Sequence, residues 1–236
     1  MKKKKLSVAM KAILSFALGL CIFSVSFFTP ASAVSGYYFN GGCRRVTNKG
    51  AAATIETQNP YVFNGSSVSA WAMTCDSSYS NRYAQVGYVK FYGDTAPKYF
   101  YEYSYGSSGT WFQKTLGTAS TGSHNEFMVG CDNHTMYFKI NGIVYGTVAL
   151  TSIPFTRNTV EILAETHAVS DQSPGSGANP VSMGGAKYKT TSDSWVSASC
   201  TNSFAAVGVG YGSLTTQRNN IPSAGATNWE VWDSRY

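Results

Sequence analysis

The chain has 236 residues, of which 14% are aromatic and only 13% charged, and a formal net charge of +6. Five of its 18 Lys and Arg lie within the first 33 residues, and none of its 12 Asp and Glu do, so the rest of the chain carries thirteen basic against twelve acidic groups, a net charge of +1. That near-neutrality removes the electrostatic case for a nucleic-acid or anionic-membrane partner.

The N-terminus reads as a targeting segment. Lys2, Lys3, Lys4, Lys5 and Lys11 form a positive region, Ala12 to Phe28 is largely apolar, and Thr29-Pro30-Ala31-Ser32-Ala33 ends in the A-x-A pattern of a signal cleavage site. A retained anchor is the rival, disfavoured because the run is short and A-x-A follows it. A lipoprotein reading through Cys21 is discounted because Leu20 precedes it. The expectation is a signal peptide over 1–33, cleavage after Ala33, and a secreted single domain over 34–236, without a membrane segment and monomeric. No other apolar run is long enough to span a bilayer.

Beyond that segment the cysteines are Cys43, Cys75, Cys131 and Cys200. An even number in an exported chain fits two disulfides, with three connectivities open. Cys43–Cys200 with Cys75–Cys131 is the preferred one. Metal binding is disfavoured, because no two cysteines are close in sequence and His124, His134 and His167 show no ligand spacing. Neither a metal nor a cofactor is expected.

In chain order, strand-length blocks rich in aromatic and β-branched residues run over Ser67–Met73, Arg82–Tyr92 and Lys98–Tyr105, with a shorter one at Asn125–Gly130. Thr135–Ile140 and Ile143–Leu150 flank Asn141-Gly142, which predicts a type I′ hairpin. Val160–Ala168 and Pro180–Lys189 add two strands, and Val169–Asn179 is a loop by composition. The segment 190–236, with its Gly-rich Val207–Gly212 and aromatic end NWEVWDSRY, reads as extra strands packed on the same domain. With no 3.6-residue apolar stripe, the fold class is all-β, an antiparallel sandwich of two sheets.

Chemistry-bearing residues emerge from strand parity. Neither G-x-S-x-G nor H-E-x-x-H occurs. In VEILAETHA (Val160–Ala168), Glu161, Leu163, Glu165 and His167 share one face. On their own strands Gln85, Gly87 and Val89 share a face, as do Phe100, Glu102 and Ser104; Gly87 is expected to leave open space beside Gln85. Three strands placing polar groups among small or apolar neighbours can line a groove. The plainer account is that these are solvated residues of an outer face.

The order of these segments resembles the glutamic peptidases, both the fungal eqolisins and the plant neprosin relatives. SAWAMTC (Ser69–Cys75) followed by AQVGYVK (Ala84–Lys90) is similar to the family's "AWVGI" strand and the next strand, which carries the catalytic Gln or Glu. The resemblance places Gln85 there and Trp71 on the preceding strand. FYEYSY (Phe100–Tyr105) resembles the W-Y-E-W-Y strand, placing Glu102 on the secondary acid and Phe100 where the family has a cleft Trp. AETHAVSDQ (Ala164–Gln172) resembles the strand of the catalytic Glu, placing it at Glu165, and PVSMGGAKY (Pro180–Tyr188) resembles the strand that follows. The likeness spans about residues 67–188 and departs at Phe100. Cleavage after Ala33 would also leave no sizeable propeptide ahead of the domain.

The resemblance implies a jelly-roll of the concanavalin-like type and hydrolysis of a polypeptide in acid, with Glu165 as base and Gln85 as amide partner. Glu102, Phe100, Glu161, His167 and Trp71 would be secondary or substrate-binding. Two rivals remain: a non-catalytic module binding carbohydrate or protein through its aromatics, and a glycoside hydrolase, against which the amide in the Gln85–Glu165 pair speaks.

Overall fold

The computed structural model describes residues 35–78, 82–105, 110–202, 211–212 and 214–236. The expected signal peptide lies outside the described residues. The strands are β1 (Ser35–Arg45), β2 (Gly50–Glu56), β3 (Ser67–Cys75), β4 (Tyr83–Phe91), β5 (Lys98–Tyr105), β6 (Thr110–Thr118), β7 (His124–Cys131), β8 (Thr135–Ile140), β9 (Ile143–Ala149), β10 (Thr159–Ala168), β11 (Val181–Lys189), β12 (Trp195–Ser197), β13 (Thr201–Asn202), β14 (Tyr211–Gly212), β15 (Gln217–Asn219) and β16 (Trp229–Asp233). Among the described residues the only helical element is one 3-10 turn, Leu150–Ser152.

Two sheets result. The first runs β13-β1-β10-β3-β4-β5-β6, with β14 beside β1; the second runs β15-β16-β11-β2-β7-β8-β9, with β12 beside β11. Among the described residues the strand-to-strand pairings are antiparallel except β1 with β14. The core lies between the sheets. From the first come Ala70, Ala72, Val86, Tyr88, Val160, Ile162 and Ala164, and from the second Ile55, Phe127, Val129, Phe138, Met183 and Val231. Alternation sends every second side chain of each strand into this layer. The β8–β9 turn has positive φ at both Asn141 (50°) and Gly142 (79°), the conformation that a type I′ hairpin requires.

The first sheet carries a second apolar cluster on its other face. Phe39, Trp71, Val89, Phe100 and Leu163 form it, with Met73 and Phe91 packed against them. This outer face is therefore lined with apolar side chains rather than simply solvated.

The cysteines depart from expectation. Cys43, Cys75, Cys131 and Cys200 are all buried free thiols, so neither Cys43–Cys200 nor Cys75–Cys131 is a bridge. The register explains this. Cys43 pairs with Thr201, which puts Cys200 one residue out of step and facing the other way. Its Cβ lies within 2.9 Å of where a Cβ on Gly42 would stand. Cys75 closes β3 in the first sheet, whereas Cys131 closes β7 in the second.

Candidate active site

Strand β10 lies inside the first sheet, between β1 and β3, so its backbone groups are paired on both sides. Val160, Ile162 and Ala164 enter the main core, and the opposite parity carries Glu161, Leu163, Glu165 and His167 outward. In register, Glu165 lies between Phe39 of β1 and Ser69 of β3, and Glu161 between Cys43 and Met73. Met73 is opposite Gln85 of β4, which is opposite Glu102 of β5, which is opposite Gln113 of β6. Gln85, Glu102 and Glu161 thus share one row of the outer face, and Glu165 belongs to the row of Ser69 and Val89.

Glu165 is buried and fully engaged. Its Oε2 accepts from Trp71 Nε1 at 2.9 Å and Ser69 Oγ at 3.2 Å, and its Oε1 lies 2.9 Å from His167 Nε2. The other imidazole nitrogen of His167 is 3.4 Å from Ser67 Oγ, and the Tyr37 ring meets the imidazole edge-on at 4.9 Å. Burial pulls the His167 pKa down; the hydrogen bond and charge of Glu165, with the charges of Asp171 and Glu102, outweigh it and raise the value. Asp171 fixes the end of this strand, its Oδ2 accepting from the backbone N–H of His167 (3.1 Å) and of Ala168 (2.8 Å).

Glu102 is the centre of a second cluster. Its Oε1 accepts from the Tyr83 hydroxyl and, at 3.4 Å, from Gln85 Nε2; its Oε2 accepts from Gln113 Nε2 at 2.7 Å. Burial pushes its carboxyl up to about 7; the hydrogen bond from Tyr83 opposes that shift and the charge of Glu165 adds to it. Glu161 is likewise pushed up to about 7 by burial, with a Cys75 hydrogen bond pulling the other way and Glu165 adding to the rise. Both acids are therefore neutral in mild acid.

The sequence-derived candidates all share this face. Trp71 and Phe100 are each 1% exposed and act as its floor, so Trp71 serves as a donor to Glu165 from below. Gly87 does not open space beside Gln85. A Cβ there would stand 2.0 Å from the Ala70 carbonyl oxygen and 2.7 Å from Trp71 Cα, so the glycine permits close approach of β3. Tyr83 shares the parity of Gln85 on its strand and was findable on that ground. Gln113 and Tyr37 lie on strands that carry no clear alternation. At the rim, Tyr37 is 50% and Trp111 is 59% exposed. Among the described residues no three His, Cys, Asp or Glu side chains converge as a cation site.

No protein-family model matches the chain, and no curated protein matches it in sequence. Among solved structures, the chain is similar to Scytalido-glutamic peptidase with a peptide-based transition-state analog. The TM-score is 0.56 at 10% identity, covering 86% of this chain and 100% of that one. It is also similar to SCP-B, a member of the eqolisin family of peptidases in complex with the tripeptide Ala-Ile-His. There the TM-score is 0.52 at 10% identity over the same shares. At such identities the likeness is one of fold. The chain has the jelly-roll sandwich fold of the glutamic peptidases.

Proposed function

We propose that the protein hydrolyses peptide bonds in acid, using Glu165 as general base and Gln85 as its amide partner, and that residues 1–33 direct its export. The observation that carries this is the buried Glu165 carboxylate, held on the outer face by Trp71, Ser69 and His167. The Gln85 amide lies on the same face, hydrogen-bonded to an acid that the Glu165 charge reaches.

Glu165 takes a proton from a water, whose oxygen attacks the peptide carbonyl carbon. A Gln85 amide cannot titrate, but its oxygen can orient that water. Its NH₂ carries a second hydrogen, beyond the one directed at Glu102, for the developing oxyanion. Glu165 then gives the proton to the departing nitrogen as the C–N bond breaks, leaving a carboxyl and an amine and restoring the base. Acid suits this arrangement. Below pH ~7 Glu102 and Glu161 hold protons, so neither places a second negative charge beside the base.

Incubation with a denatured protein between about pH 3 and 5 tests the reading. Cleavage should resist chelators and disappear in Glu165→Gln and Gln85→Ala. Glycan binding, or release of reducing sugar, in a protein that cleaves no peptide would replace it with one of the rival readings. N-terminal sequencing of the exported form should begin at Val34.

A further inference from the structure

The donor set around Glu165 contains one group that can carry charge. Ser69 and Trp71 serve Oε2 and are neutral at every relevant pH. His167 serves Oε1 alone, at 2.9 Å. An indole N–H donates only, so the Trp71 side of the carboxyl has no use for an added proton. The imidazole is also arranged to work in both of its charge states. Ser67 Oγ stands 3.4 Å from Nδ1, and a hydroxyl can either donate to a neutral ring or accept from a protonated one. With Ser67 donating, the neutral ring keeps its hydrogen on Nε2, directed at Glu165. With Ser67 accepting, the imidazolium donates from both nitrogens. The His167 side chain is 37% exposed and that of Glu165 11%, so the histidine can exchange protons with solvent while the carboxyl stays sheltered.

We propose that His167 is a positioning residue for Glu165: in acid its imidazolium donates to Oε1 and supplies the one positive charge in contact with the base among the described residues. The proposal rests on the peptidase reading above. The groups facing the pair are Glu161 on the same strand, Ser67, Ser69 and Trp71 on β3, Tyr37 on β1, Tyr83 on β4, Glu102 on β5 and Asp171 in the following loop. Glu102 and Glu161 take up protons as the pH falls, and burial pushes the Tyr83 hydroxyl up, so it stays neutral. His167 is then the one group bonded to Glu165 that gains positive charge in the range where the base must stay negative.

Two measurements test this. In His167→Gln an amide replaces the imidazole and can still donate, but carries no charge. The acid limb of the kcat/KM profile should move up by about one pH unit or more, with the plateau kcat within about tenfold of the native value. His167→Lys, which restores a cation, should return the limb toward its native position. Independently of activity, the His167 ring titration followed by NMR should fall by about one pH unit in Glu165→Gln. An unmoved limb in His167→Gln overturns the proposal, and so does an unmoved His167 titration in Glu165→Gln. Covalent labelling of Ser67 by a fluorophosphonate also overturns it, since the Ser67–His167–Glu165 line would then serve a nucleophile. If the native protein cleaves nothing at any pH, the peptidase reading falls; the NMR titration still decides whether histidine and carboxylate are a charge pair.

Discussion

Trp71 donates its indole N–H to Glu165 at 2.9 Å while its ring is 1% exposed and packs edge-on against Phe39 at 6.1 Å. One side chain thus fills the apolar floor of the outer face and holds the carboxylate above it. Trp71→Phe keeps much of the packing and deletes the donor. A hydrogen bond to a charged group is worth about 1.5–3 kcal/mol. The variant should lose stability in that range by urea unfolding, and peptide cleavage should fall with it. An unchanged unfolding midpoint would mean the indole contributes packing alone.

Gly87 faces Trp71 across the β3–β4 pairing, where a methyl group would meet the Ala70 carbonyl oxygen and Trp71 Cα. Both obstacles are backbone, so the strands must separate to admit it. Gly87→Ala should destabilise by about 1–3 kcal/mol, the cost of forcing extra volume into a packed site. It should also displace Trp71, lowering activity by more than the loss of folded protein explains. Chemical denaturation and specific activity per folded molecule distinguish the two effects.

Stability should be greatest in mild acid. Glu102 and Glu161 bind protons up to about 7 in the folded chain against an ordinary 4.5. Between those values the folded state holds more protons than the unfolded one, so stability falls as pH rises and levels off above about 7. Asp94, held low by Lys98, and Asp193, held low by Lys49 and Lys189, act oppositely, and their contribution is lost as pH drops below about 3.8. Thermal unfolding between about pH 3 and 8 should peak near pH 4–5. Glu161→Gln should flatten the decline on the alkaline side by at most about 1.4 kcal/mol per pH unit, the contribution of one proton.

The four buried thiols should behave as a set. Burial pushes Cys43 and Cys200 up to about 12, and Cys75 and Cys131 upward as well, so almost no thiolate exists at neutral pH. Alkylation of the native protein should spare all four, each should be modified once it is unfolded, and reductant should leave the melting temperature unchanged. A drop of several degrees with reductant would reveal a bridge.

Much of the fold was legible in period-two patterning. β5 and β8 run over the residues that the sequence suggests, and β3, β4, β7, β9, β10 and β11 differ by a residue or two at their ends. Strand β1 escapes notice because SGYYFNGGCRR mixes glycines with polar groups, and β2 because GAAATIE centres on Ala51, Ala52 and Ala53, and alanine is a poor strand former. Their alanines and glycines suit strands that lie close against others, a property of the partner rather than of the segment. In the candidate site, parity alone put Glu161, Glu165 and His167 on one face. It could not show that Trp71 and Ser69 reach Glu165, because those bonds join residues 94 and 96 positions apart. Gly87 was misread for the same reason: its neighbour across the pairing decides whether a missing side chain means room or contact.

Strand β10 is flanked by Phe39 on one side and Ser69 on the other, segments that precede it in the chain by roughly a hundred positions. Such long-range pairing carries a large loop-closure cost and forms slowly. The carboxylate therefore acquires its donors only when distant parts of the chain have met. A partly folded or proteolytically nicked molecule would hold Glu165 on an unzipped edge, without Trp71 or Ser69 beside it. Competence at this centre is then a readout of completed assembly, and a misassembled chain is disarmed by its own topology.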